Sequence, residues 1–99
     1  GSADGQALLF SITGKDSPGI TAEFTNTLHE GGAQMLDLEQ LVVHDHLSLQ
    51  IMAKVSPEKE AQVLKDMLFR GRAWPELNVS IDVVNLAATV EARLTKGPR

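Results

Sequence analysis

Apolar residues along this chain switch between two spacings, and each switch marks an element. From Ala7 to Thr13, Leu8, Phe10 and Ile12 alternate with Leu9, Ser11 and Thr13, which predicts a strand. From Pro18 to about Glu30 the spacing lengthens. Ile20, Phe24 and Leu28 recur every four residues while Glu23, Asn26 and Glu30 fall elsewhere, the pattern of a helix with one apolar stripe. Gly31-Gly32 is expected to end it. A long β region follows from Gln34 to Val55. Its second half is regular, with Leu47, Leu49, Ile51, Ala53 and Val55 on one face. Its first half sets Leu36 and Leu38 against Asp37 and Glu39, then loses phase after Gln40, where a bulge is expected. The interruption at Val43-His44-Asp45-His46 predicts a hairpin turning near Asp45.

Ser56-Pro57 opens a second helix, with Ser56 as cap and Pro57 as its first residue. Ala61, Leu64 and Leu68 form its expected buried stripe, widened by Val63 and Met67, and Gly71 stops it. Arg72 to Glu76 is a connection in which Trp74 is expected to fold over a sheet edge or helix end. Asn78 to Asn85 is the last strand, with Val79, Ile81 and Val83 facing inward. The order β-α-β-β-α-β predicts an α+β, ferredoxin-like domain: one antiparallel sheet with both helices on one face. On the other face Leu9, Met35, Leu41, Met52 and Val84 leave either a self-association patch or scattered apolar residues. The chain divides into residues 1–6, a tag scar and flexible N-terminus; the domain, 7–86; and 87–99, a linker to a further domain.

Composition narrows the function. Ninety-nine residues make one domain at most. A net charge of −4 argues against nucleic acid as partner, and no apolar run reaches membrane-spanning length. The expected setting is the cytoplasm. With no cysteine there is no thiol nucleophile, disulfide framework or cysteine zinc site. His44 and His46 form H-x-H, a metal-ligand spacing on a strand, but they flank a turn, and His29 offers no clear third ligand. An acylphosphatase would need an arginine in the first loop, where only Lys15 stands. An RNA-recognition sheet would need aromatic residues on its central strands.

Thr13-Gly14-Lys15-Asp16-Ser17-Pro18-Gly19-Ile20-Thr21 holds the candidate chemistry. Ser17 is expected to cap the first helix, with Pro18 at its first position. Gly14 permits a turn, and Gly19 removes a side chain from the first helical turn. An open helix N-terminus attracts a carboxylate or phosphate, and Asp16 sets a negative charge beside it. Together they suit a zwitterion such as a small amino acid. The plain alternative, a turn and a cap with no ligand, fits the same residues.

The segment Leu8 to Thr21 resembles the opening of ACT domains, small-molecule sensing modules with this strand order. Gly32-Ala33-Gln34-Met35-Leu36-Asp37-Leu38-Glu39-Gln40-Leu41-Val42-Val43-His44, followed by Leu47-Ser48-Leu49, is similar to the N-terminal ACT region of bacterial phosphoserine phosphatases. The resemblance covers about residues 7 to 86. It implies regulation and assembly rather than catalysis: an amino acid, L-serine in this group, bound between the first loop of one copy and the second strand of another. Carried onto this chain, the Gly19 and Ile20 N–H groups would receive the ligand carboxylate and Asp16 its ammonium. Gln34, Leu36 and Asp37 of the other copy would complete the pocket of a homodimer. The domain itself needs no cofactor. In such phosphatases magnesium belongs to a catalytic domain carrying D-x-D-x-T, and no D-x-D occurs here. ACT domains that only dimerise, or that serve formyltetrahydrofolate deformylase or glycine-cleavage-type repressors, are the alternatives.

Overall fold

The computed structural model describes residues 6–84. The expected tag scar, the end of the last strand at Asn85 and the expected linker lie outside the described residues. The elements run β1 (Gln6–Lys15), α1 (Ile20–Glu30), β2 (Gln34–Val43), β3 (His46–Val55), α2 (Pro57–Gly71) and β4 (Leu77–Val84). All strand pairs are antiparallel, in the order β2-β3-β1-β4. This is the ferredoxin-like arrangement expected from the alternating periods.

The core lies where one face of the two central strands meets both helices. Leu8, Phe10 and Ile12 of β1 and Leu47, Leu49, Ile51, Ala53 and Val55 of β3 are buried there. Ile20, Phe24 and Leu28 close it from α1, and Val63 and Met67 from α2. Trp74 packs on the rim, its ring centroid 6.0 Å from that of Phe24. α1 ends in a Schellman motif: Ala33 N–H donates to the Leu28 carbonyl and Gly32 N–H to that of His29, each at 3.0 Å.

Three local expectations are corrected. Ser17 does not cap α1. The N-cap is Gly19, at φ 89°, so α1 starts at Ile20 and Pro18 stands outside it. The bulge lies at Leu36 rather than near Gln40, since Met35 pairs with Ala53 and Asp37 with Met52. An extra residue reverses the alternation beyond it, so Met35 joins the helix-side face instead of the outer one. In α2 the buried positions are Val63 and Met67, while Ala61 and Leu68 are exposed. The helix presents the stripe one step round from the expected one, and Gly71, four residues after Met67, sits against Val79 of β4.

The outer face is not one apolar patch. Leu9 and Met52 pair, flanked by Asp37 and Asp82. The next rows across the sheet are polar but for Leu41 at the edge: Glu39-Gln50-Ser11-Ser80, then Leu41-Ser48-Thr13-Asn78.

Candidate functional site

The β1–α1 loop is shaped by two glycines and a link across the sheet end. Gly14 has φ 143°, and a Cβ there would overlap the Glu76 carbonyl and lie 3.1 Å from the Leu77 Cα. The missing side chain lets the α2–β4 connection cross close over β1. Asp16 N–H donates to the Asp45 carbonyl at 2.7 Å, tying the loop to the β2–β3 turn. That turn holds His44 at φ 49° and Asp45 at φ 67°, the two left-handed residues of a type I′ hairpin. His44 is therefore a turn residue, so H-x-H does not project from a regular strand. Among the described residues, no group of three or more His, Cys, Asp or Glu is placed to hold a metal.

At Gly19 the chain turns through the left-handed region into α1. A Cβ there would meet nothing within 4 Å, so the approach to the helix end is open. The first helical acceptor is the Gly19 carbonyl, which receives Glu23 N–H at 3.0 Å. The N–H groups of Ile20, Thr21 and Ala22 therefore have no helical acceptor. They carry the positive end of the helix dipole and suit a carboxylate. Asp16 and Gly19 are exposed, whereas the Ile20 side chain is buried. Thr21 Oγ1 donates to Gln40 Oε1 on β2, which fixes the first turn of α1 over that strand.

Gln34, Leu36 and Asp37 stand apart from this loop within one copy. Gln34 pairs with Lys54 at one end of the sheet, while Val43 pairs with His46 at the other, next to Lys15. A strand rises ~3.3 Å per residue, so Gln34 and Asp37 lie about 20–30 Å along β2 from the end where Asp16 is tied to Asp45. The first turn of α1, bonded to Gln40, is level with a point about 10 Å along β2 from Asp37. The structure brings Asp16, Gly19 and Ile20 together, and it groups Gln34, Leu36 and Asp37 separately. Leu36 is the bulge residue, and Asp37 Oδ1 accepts the N–H of Leu38 at 2.9 Å. Gln40 and Thr21 were not among the expected site residues; their link depends on β2 lying beside α1, which no local pattern signals.

β2 is one of the two edge strands, and all ten of its residues are exposed. Met35, Leu36, Leu38, Leu41, Val42 and Val43 are between 39% and 62% exposed. A long apolar edge with unpaired backbone groups is a template for another strand. Among the described residues, no helix is long and apolar enough to cross a membrane.

A βαββαβ domain with an open helix end and an apolar sheet edge falls in the ferredoxin-like α+β class. The particular family is the ACT domain, whose model matches residues 6–83, and the chain belongs to it. Over 46 residues it is 33% identical to the phosphoserine phosphatase SerB2 of Mycobacterium tuberculosis, a match covering 46% of this chain and 11% of that protein. The chain thus corresponds to a small part of that relative. A solved structure described as a candidate glycine cleavage system transcriptional repressor superposes with TM-score 0.74 at 20% identity, over 81% of this chain and 46% of that one. A formyltetrahydrofolate deformylase from Pseudomonas putida gives 0.68 at 10% identity, over 77% and 28%. At these identities the two structures share the fold.

Proposed function

We propose that this ACT domain senses a small amino acid, L-serine, between two copies joined through β2, and that it regulates a phosphoserine phosphatase of L-serine biosynthesis in the cytoplasm. The observation that carries this reading is the separation of the two half-sites along an exposed edge strand. Antiparallel pairing of β2 with its counterpart brings one end of each strand beside the other end of its neighbour. Asp37 of the partner subunit then comes level with the end of the sheet where Asp16 is tied to Asp45, its side chain on the outer face. Charge selects the register. Pairing centred on Leu38 sets Asp37 against the partner's Glu39, and pairing centred on Glu39 sets two glutamates together, both unfavourable. Pairing centred on Gln40 sets Val42 opposite the partner's Leu38 and Val43 opposite the partner's Asp37.

In that arrangement the ligand carboxylate takes the Gly19 and Ile20 N–H groups. Its ammonium lies between Asp16 and the partner's Asp37, with the partner's Gln34 and Leu36 lining the pocket. Two facing carboxylates repel when the pocket is empty, so the ammonium favours the closed pair. Ligand and assembly are then linked, each strengthening the other. The phosphatase assignment is supported by the Leu36-Asp37-Leu38-Glu39-Gln40 strand and by the 46-residue similarity. Magnesium would serve the parent's catalytic domain, and this domain needs no cofactor.

Titration calorimetry with L-serine, glycine and L-phenylalanine, alongside light scattering, tests the reading. Selective saturable heat from serine by a dimer is expected. Gly19→Val should abolish it, and Asp16→Ala or Asp37→Ala should weaken it about tenfold, the worth of one charge-assisted hydrogen bond. A dimer that takes up none of the three amino acids would leave a module that only dimerises, and would refute the sensing role.

A further inference from the structure

A cleft of ≈370 Å³ opens on the other side of the same loop. Lys15, Asp16 and Ser17 form one wall, and Trp74, Pro75 and Glu76 of the α2–β4 connection form the other. β4 lies at the sheet edge opposite β2, so this cleft is built within one copy and faces away from the strand that would pair. Its walls meet because Gly14 lacks a side chain where the Glu76 carbonyl crosses β1. The connection is held by its own hydrogen bonds, Trp74 N–H to the Gly71 carbonyl at 3.1 Å and Leu77 N–H to that of Trp74 at 2.9 Å. Trp74 is half-buried, packed on Phe24 beneath and bordering the cleft above.

The lining has a defined chemistry. Lys15 brings one ammonium, Asp16 and Glu76 bring two carboxylates, and Trp74 and Pro75 give flat apolar surface. A pocket of this volume with a few polar groups around an aromatic surface suits a small molecule. One cation and two anions match a ligand with one carboxylate and two positive groups. An indole face adds attraction for a cation. We infer that the cleft between the β1–α1 loop and the α2–β4 connection is a binding site for a basic amino acid. The ligand carboxylate meets Lys15, its two cationic groups meet Asp16 and Glu76, and its aliphatic chain lies along Trp74 and Pro75. The site is complete in a single copy and does not depend on the serine reading, although the two sites share Asp16.

Trp74 is the protein's one tryptophan, so its emission reports this cleft directly. The 99-residue chain is titrated with L-lysine, L-arginine, L-serine and L-glutamate while emission is followed. Saturable change with lysine or arginine at lower concentration than with serine, and none with glutamate, is expected. Glu76→Gln should raise the half-saturating concentration about tenfold, and Lys15→Met should do the same. Dilution to the monomer should leave the response intact. The inference is overturned if no amino acid changes the emission saturably. It is equally overturned if the response survives both Glu76→Gln and Lys15→Met unchanged, or if dilution removes it. Loss of serine heat in the calorimetry leaves these readouts untouched, so failure of one site is distinguishable from failure of the other.

Discussion

Two glycines of the loop carry unequal structural loads, and alanine at each measures the difference. At Gly14, φ is 143°, a backbone region in which a side chain is strained by about 1–3 kcal/mol. A Cβ there also overlaps the Glu76 carbonyl and stands 3.1 Å from Leu77 Cα, both of them backbone. Backbone cannot yield as a flexible side-chain end does, and such overpacking costs about 1–3 kcal/mol more. Gly14→Ala should therefore lose about 2–6 kcal/mol in all. At Gly19, φ is 89° and nothing lies within 4 Å of a Cβ. Only the left-handed backbone is penalised there, at about 1–2 kcal/mol. For a domain of this size 1 kcal/mol moves the midpoint by about 4–8 °C, so the middle of these ranges puts Gly14→Ala about 10–20 °C below Gly19→Ala. Thermal unfolding followed by circular dichroism reads the gap, and urea melts with unchanged slope would confirm that stability alone has moved. Equal midpoints for the two variants would refute the claim that the α2–β4 connection is seated on Gly14.

Other substitutions probe separate parts of the argument. Phe24→Ala empties the centre of the core and removes the ring packed on Trp74; it should cost about 3–5 kcal/mol and shift the Trp74 emission to the red. Leu41→Lys with Val43→Lys, both on the exposed edge, should leave monomer stability within ~0.5 kcal/mol while light scattering shows loss of the dimer. Replacing His44-Asp45 by Asn-Gly relieves two left-handed non-glycine residues and should raise stability by about 1 kcal/mol in urea melts. Arg70→Met removes the 3.3 Å pair with Glu23, whose partners are 43% and 41% exposed; it should cost under ~1 kcal/mol, less still at high salt.

The parts of the fold that could be read in advance are those with one face buried. β1 and β3 alternate because every second residue enters the core, and burial forces that alternation into the sequence. β2 is exposed on both faces, so nothing in its composition records on which side a residue points. The bulge at Leu36 was invisible for that reason, and Met35 was placed on the wrong face. Ser17-Pro18 looks like a helix start, but Asp16 is tied to Asp45 across the sheet end and the cap falls to Gly19 after a turn at Pro18. That tie joins residues distant in the chain, which a local rule does not register. Among the candidate site residues, Asp16, Gly19 and Ile20 are neighbours in sequence and in space. The distance from them to Gln34, Leu36 and Asp37 follows from strand order alone, as does the cleft at Trp74.

The position of β1 has a consequence for how the protein is made. It is the first strand of the fold, yet it lies between β3 and β4, pairing with β4 from Ala7–Val84 to Gly14–Leu77. Those contacts join residues almost the whole described length apart, so closing them carries a large loop-entropy cost and makes folding slow for so small a domain. During synthesis β1 can dock on β3 well before β4 has emerged, and until then its other side is an open edge. At high concentration that edge can accept β4 from a neighbouring chain instead, giving an exchanged dimer with the same strand pairs made between molecules rather than within them.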